Sequence, residues 1–440
     1  MKLLLLSLCV LVALVAADLP VTCFGEQVFG CSDSKQCTWQ FTLSSPRSTP
    51  KDCSNEFLVN DRMNLVFEYP NIVSMGSNPS IKGTWVIVYN QGLEVRIAGY
   101  SFFFFFDYEV VDKKTISHCD RTIKGWYHNV DKTEFGCMKA VRLTYAPPLP
   151  DIVENDPFTA LDDSLQVPIT YTTAPFPYEV YPNGKKVVRK VVPQDINNIF
   201  FDESAHPNDL PKEVNWVERG FVPETRNQGA CGSCYSFAFT GALASRVRIQ
   251  SDNKLKPDFA NQHMVDCSFY SQGCNGGFIT ELGRYTFETG IVEQEHYPYE
   301  AKTNQCKNTD GVKHWKVKDY YFVNGYYGNS TGAEQAIMRE LAERGPVPIS
   351  IMVPPGRSFR DYKSGVYMYN EQEFARFGWF VEVNHAVLAV GYGVENGVKY
   401  WLIQNSWGTT WGDNGFFKIV RGIDNLGIES CVEGMIPDLD

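Results

Sequence analysis

Cys231 and Cys234 stand three positions apart in RNQGACGSCYSFAF (226–239), where a glycine-rich approach meets an apolar run. A C-x-x-C pair offers three chemistries: half of a zinc site, a redox dithiol, or two cysteines with separate tasks. Structural zinc needs a second Cys/His pair at matching spacing, and Cys267 with Cys274 is a poor match. A redox pair belongs after the first strand of a small βαβ unit, whereas the preceding VPETRNQGA reads as loop. The third reading places Cys234 at a helix start, where unpaired backbone N–H groups and the dipole favour a thiolate. Such a thiolate is a nucleophile in need of a base.

Among seven histidines, His385 in EVNHAVLAVGYG is the best candidate for that base, because it opens an apolar strand. A core histidine bonded to backbone is the bland alternative. Asn405, in LIQNSWGTTWGDNGFF, follows a second strand and sits near Trp407 and Trp411. An amide there can accept from one imidazole nitrogen and aim the ring at the thiol.

These residues need elements to carry them. The stretch from 210 to 440 reads as a helical first half, with Phe237, Ala238, Gly241, Ala242 and Ser245 on one helix face, and a strand-like second half. Residues 18–139 alternate strand-like runs with turn signals, which predicts an antiparallel barrel or sandwich. The five phenylalanines Phe102 to Phe106 read as a strand buried on both faces. Residues 140–209 are dense in Pro, Asp and Asn and read as a linker or removable pro-segment. MKLLLLSLCVLVALVAA (1–17) reads as a secretory signal peptide, too short to span a bilayer, which would leave Asp18 first in the mature chain. The expected fold class is α+β, with a domain of helices followed by strands (210–440) preceded by an antiparallel β-barrel domain.

A net charge of −11 argues against nucleic acid or an anionic membrane as partner. Thirteen cysteines, less Cys9 in the signal, leave twelve for an oxidising compartment.

NQGACGSCYSFAF, VNHAVLAVGYG and NSWGTTWGDNGFF resemble, in order, the three active-site blocks of papain-family cysteine peptidases. The resemblance implies that Cys234 is the nucleophile, His385 its proton partner and Asn405 the orienter, with Trp407 shielding the last two from water. It makes Gln228 a side-chain donor to the oxyanion. DCSFYSQGCNGGF resembles the segment that supplies disulfide partners, which implies Cys231–Cys274 and Cys267–Cys306. It also matches Gly276 and Gly277 to glycines whose backbone lies along bound peptide.

Papain-like peptidases normally carry a helical propeptide, whereas residues 18–139 read as β. IVYNQGLEV, HCDRTIKGWYHNV and FGCMKA resemble the exclusion domain of the cathepsin C branch, whose members are dipeptidyl peptidases. That resemblance implies Cys23–Cys119 and Cys53–Cys137, with Cys31–Cys37 as an addition; Cys234 and Cys431 are left over. It gives Asp18 the substrate's amino terminus to hold and keeps Phe278 in the pocket for the second side chain. Members bind chloride near that pocket through a tyrosine hydroxyl; Phe322 stands there, without a hydroxyl to donate. A further disulfide of the branch is missing, with His296 at one of its positions. The branch also contains tetramers and lysosomal or secreted enzymes.

The expected function is a cysteine exopeptidase of the secretory pathway or lysosome that removes dipeptides from free amino termini. It needs no metal or organic cofactor. The alternatives are an endopeptidase with an N-terminal binding module, and a catalytically silent binding homologue. Asn329, in NST, is a glycosylation acceptor pattern.

Overall fold

The structure, a computed structural model, describes residues 36–50, 52–53, 57–68, 71–88, 91–111, 114–143, 179–180, 186–187, 190–191, 196–325, 327–354, 356–369, 375–377, 380–381 and 383–439. The stretch read as a signal peptide and most of that read as a linker therefore lie outside the described residues.

Eight antiparallel strands form a closed barrel in chain order: β1 (Gln36–Ser44), β2 (Val59–Glu68), β3 (Ile72–Met75), β4 (Asn78–Val88), β5 (Gly92–Ile97), β6 (Tyr100–Val111), β7 (Lys114–Asn129) and β8 (Phe135–Arg142). Closure comes from β1, which pairs β2 on one side (Trp39↔Leu65) and β8 on the other (Trp39↔Arg142). Alternation explains the first strand, for Cys37, Trp39, Phe41 and Leu43 all point inward. Strand β6 divides its phenylalanines by parity. Phe102, Phe104 and Phe106 fill the barrel with Trp39, Phe41 and Phe67. Phe103 and Phe105 point outward, yet both are buried, because they pack against the second domain. Trp126 of β7 stacks on Phe103 at 5.9 Å and meets Tyr270 edge-on at 4.9 Å, while Phe105 lies 6.0 Å from Phe278.

The second domain has a helical lobe and a sheet lobe. Its helices are α1 (Cys234–Gln250), α2 (Asn261–Cys267), α3 (Ile279–Glu288) and α4 (Ala333–Glu343). Strand β9 (Lys316–Phe322) pairs β14 (Glu433–Asp438). The main sheet is built on β11 (His385–Glu395), which pairs β10 (Val347–Ile351), β12 (Val398–Gln404) and the short strand Val214–Asn215; β13 (Phe416–Val420) extends it beyond β12.

The sequence predicts one buried face for α1, but the helix is buried nearly all round, from Tyr235 to Val247 with only Phe237 half-buried. It runs between the lobes, so every side meets protein. Its polar side chains are satisfied there: Thr240 Oγ1 donates to Asn261 Oδ1 at 2.6 Å, and Arg246 Nη2 pairs with Glu340 at 2.8 Å. Residues 196–209, assigned to the linker by composition, lie against the sheet lobe. Ile199 is buried in its core, and Phe201 N donates to Gly397 O at 2.9 Å.

The two domains meet across buried charge. Arg284 of α3 donates to Ser101 Oγ at 3.2 Å and to Glu288 Oε1 at 3.1 Å, and Tyr270 OH donates to Glu288 at 2.6 Å. Glu94 of β5 accepts from Tyr320 OH at 2.9 Å and from Arg96 at 3.1 Å. Glu281, one turn before Arg284 on α3, is buried with neither carboxylate oxygen hydrogen-bonded among the described residues.

Candidate active site

Cys234 is the first residue of α1, so its sulfur sits where the helix leaves N–H groups unpaired. Histidine and asparagine are brought together by strand pairing. His385 opens β11, Asn405 follows the end of β12, and the antiparallel register sets Leu388 opposite Gln404. The two side chains then meet, His385 Nε2 to Asn405 Oδ1 at 2.8 Å. A carboxamide oxygen only accepts, so Nε2 carries the proton and Nδ1 is left for the other side of the ring. Ser406 N also donates to that oxygen, at 2.8 Å, and fixes the amide's orientation.

Trp407 stacks on His385 with centroids 4.9 Å apart, and Trp411 packs edge-on against Trp407. This aromatic cover keeps His385 and Asn405 buried. Burial pulls the imidazole down to about 4; the Asn405 bond opposes this and the Arg360 charge adds to it. The ring is therefore neutral unless an anion stands beside it.

Gln228 is buried and held at four atoms. Its N donates to Ser406 O at 2.8 Å, its Oε1 accepts from Ser406 Oγ at 2.6 Å, its Nε2 donates to Cys231 O at 2.9 Å, and its O accepts from Tyr299 OH at 2.8 Å. With Oε1 engaged, the amide cannot flip, and Nε2 keeps a second N–H to donate. Cys231 is bonded to Cys274 (S–S 1.98 Å), while Cys234 carries a thiol. The neighbouring sulfurs thus differ in chemistry.

Gly276 has φ +117, which favours glycine. A Cβ on Gly277 would lie 2.6 Å from the Tyr235 ring and from Ser271 Oγ. Both glycines therefore have structural reasons beyond room for a peptide. Phe278 is fully buried between the domains, against Phe105. Phe322 ends β9 and packs edge-on against Tyr327.

Cys53–Cys137 (2.06 Å) and Cys267–Cys306 (2.10 Å) are bonded. Cys37 and Cys119 are also in disulfides, but their partners, like Cys23, Cys31 and Asp18, lie outside the described residues. Cys431 is buried as a thiol. Asn329 Nδ2, the atom a glycan would take, donates to Asn324 O at 2.9 Å. Among the described residues no group of three or more His, Cys, Asp or Glu is arranged to hold a metal ion. No helix among them is long and apolar enough to cross a membrane.

Sequence reasoning missed Ser406, Tyr299 and Ser233. Ser406 follows Asn405 and Ser233 precedes Cys234, so proximity was a signal for both. Tyr299 carried none.

A thiol at a helix start, an imidazole held by an amide and a locked carboxamide donor together suit acyl transfer through a thioester. Residues 210–436 match the profile of the papain family of cysteine proteases, and the chain belongs to that family. Residues 18–142 match the cathepsin C exclusion domain. Similar proteins include cathepsin C of Schistosoma mansoni, 29% identical over 94% of each chain, and pro-cathepsin H of Mus musculus, 38% identical over 52% of this chain and 66% of its own. Among solved structures, digestive procathepsin L 3 of Tenebrio molitor larval midgut is 29% identical with a TM-score of 0.46, covering 56% of this chain and 76% of its own.

Proposed function

We propose that the chain is a cysteine dipeptidyl peptidase, cutting peptides and proteins after the second residue from a free amino terminus. The observation that carries this reading is the position of the barrel. It docks on Phe278, directly after the glycine pair expected to line bound peptide, and in this reading it closes one end of the substrate cleft.

In this reading the Cys234 thiolate attacks the carbonyl carbon of the substrate's second residue, and the oxygen takes the negative charge. The Gln228 Nε2 and the Cys234 backbone N–H stabilise that oxyanion, about 3 kcal/mol for each donor. His385 gives its proton to the departing amine, leaving a dipeptidyl thioester. It then takes a proton from water, whose oxygen attacks the thioester; the dipeptide leaves and the thiolate–imidazolium pair is restored. Asparagine holds the imidazole plane throughout. Asp18 binds the incoming ammonium, a charge-assisted contact worth about 1.5–3 kcal/mol.

The leader at 1–17 sends the protein into the secretory pathway, with a lysosome-like compartment or the exterior as destination. Assembly into tetramers is part of the same reading.

The test compares native protein with Asp18→Ala on three substrates: a dipeptidyl substrate, its amino-acetylated form, and a long internally quenched peptide. Native protein should cut only the first efficiently, and Asp18→Ala should lose about ten- to a hundredfold, the equivalent of that contact. Efficient native cleavage of the acetylated and internal substrates would mean an endopeptidase.

A further inference from the structure

Tyr299 lies in YPYE, 65 residues after Cys234, on a loop without helix or strand. Its hydroxyl meets two main actors of the site at once. It donates to Gln228 O at 2.8 Å, and it lies 2.6 Å from Ser233 Oγ. With its proton committed to Gln228, the tyrosine oxygen accepts from Ser233. Ser233 is fully buried and is the residue immediately before Cys234. Phe237, one turn along α1, meets the tyrosine ring edge-on at 5.0 Å and fixes its plane.

The two proposed oxyanion donors come from different places, a side chain on the approach loop and a backbone N–H at the helix start. Their separation is set by whatever ties loop to helix. The Cys231–Cys274 bond does not do this, since it anchors the middle of the loop to another segment. Ser406 holds the far side of Gln228 to β12 rather than to α1. Within the loop Cys231 O accepts from Gln228 Nε2 at 2.9 Å and from Ser233 N at 2.8 Å, and the chain Gln228 O, Tyr299 OH, Ser233 Oγ is the second tie, through a side chain from outside the loop.

We infer that Tyr299 is a positioning residue for the oxyanion hole, setting the gap between the Gln228 amide and the Cys234 N–H through its paired hydrogen bonds. The inference rests on the roles proposed above for those two residues. Tyr299 suits the task because burial, with the Cys234 charge adding and the Ser233 bond opposing, raises its hydroxyl to about 12. The donor therefore stays protonated across the range in which a thiol peptidase works. A misplacement of about 1 Å at a reacting centre costs on the order of a hundredfold in rate.

The variant Tyr299→Phe keeps the ring and removes the bridge. On whichever peptide the native protein cleaves, kcat should fall about ten- to a hundredfold with KM within about twofold, since the lost interaction acts mainly in the transition state. Inhibition by a peptide aldehyde, whose thiol adduct carries the oxyanion, should weaken by a similar factor. Alkylation of Cys234 by iodoacetamide, which forms no oxyanion, should keep its native rate. In a Gln228→Ala background Tyr299→Phe should add little further loss, because the donor it positions is gone. Ser233→Ala, which breaks the other end, should repeat the pattern and serves if Tyr299→Phe does not fold. An unchanged kcat in both variants would overturn the inference, as would an alkylation rate that falls with kcat or full additivity with Gln228→Ala. Persistent turnover by Cys234→Ala would instead strike at the underlying assignment of the nucleophile.

Discussion

Opposing influences act on His385. Burial drives its imidazole from the ordinary 6.5 to about 4, against the Asn405 bond and with the Arg360 charge, whereas a thiolate on Cys234 favours the imidazolium. Removing the sulfur separates the two. In Cys234→Ala, His385 should titrate near 4 by nuclear magnetic resonance, and in the native protein well above it; equal midpoints would mean that the groups are not coupled. The sign follows from the shift: in Cys234→Ala the depressed imidazole adds stability above about 6.5 that is lost as pH falls through about 4. Because His385 and Cys234 titrate as a coupled ion pair, native activity should be bell-shaped in pH. Cys234→Ala should also abolish turnover with the fold and the Cys231–Cys274 bond intact. Cys234, His385 and Asn405 could be read from the sequence because each announces itself locally, at a helix start or a strand end. Tyr299 could not, since its contact to Gln228 spans 71 residues, and Ser406 offered only its place beside Asn405, its bond to Gln228 spanning 178.

The sheet that carries His385 tolerates no side chain at Gly391. That residue pairs with Asn215, and a Cβ there would fall 2.0 Å from the Val214 carbonyl oxygen, a backbone atom that cannot swing aside. Gly391→Ala should cost about 1–3 kcal/mol, at the upper end of that range, by urea denaturation. A cost under half a kilocalorie would mean that the short strand peels away cheaply. The barrel was legible as a whole, since residues 18–139 alternate strand-like runs with turn signals, and β1 shows the same alternation, with Trp39 and Phe41 at every second position between polar residues. Helix α1 was misjudged for a physical reason: Thr240 and Arg246 look solvated in sequence, and only tertiary partners such as Asn261 and Glu340 offset their burial, while Ser245 turns its hydroxyl back to Gly241 O of the same helix. Composition likewise hid residues 196–209, whose polar text still supplies a buried Ile199.

Between the domains, carboxylates outnumber their guanidinium partners. Glu94 has Arg96 and Tyr320, and Glu288 has Arg284 and Tyr270, which leaves Glu281 and Glu433. Burial raises Glu433 to about 8, with the Glu94 charge adding, and raises Glu281 well above the ordinary carboxylate range, with the same Glu94 charge adding. His128, 3.6 Å from Glu288, is pushed to about 3 by burial and by Arg284, so it stays neutral and supplies no compensating charge. Carboxyls raised in the folded state are protonated there and ionised when unfolded, so their contribution is full below about 4.5 and is lost as pH rises through about 8. The native melting temperature should decline from mildly acid to mildly alkaline buffer, and Glu433→Gln should flatten that decline; an undiminished slope in the variant would exclude Glu433 as its source. The sequence showed the run Phe102 to Phe106 as buried on two faces, but could not say that the second face belongs to another domain, because parity carries no address. That divided strand also sets a schedule for biosynthesis. The barrel leaves the ribosome first, and at about 5–20 residues per second the roughly 300 residues that follow Arg142 need some 15–60 s. Through that interval Phe103, Phe105 and Trp126 have nothing to dock on, so the nascent barrel is a client for chaperones, and an isolated barrel should stick to its own kind.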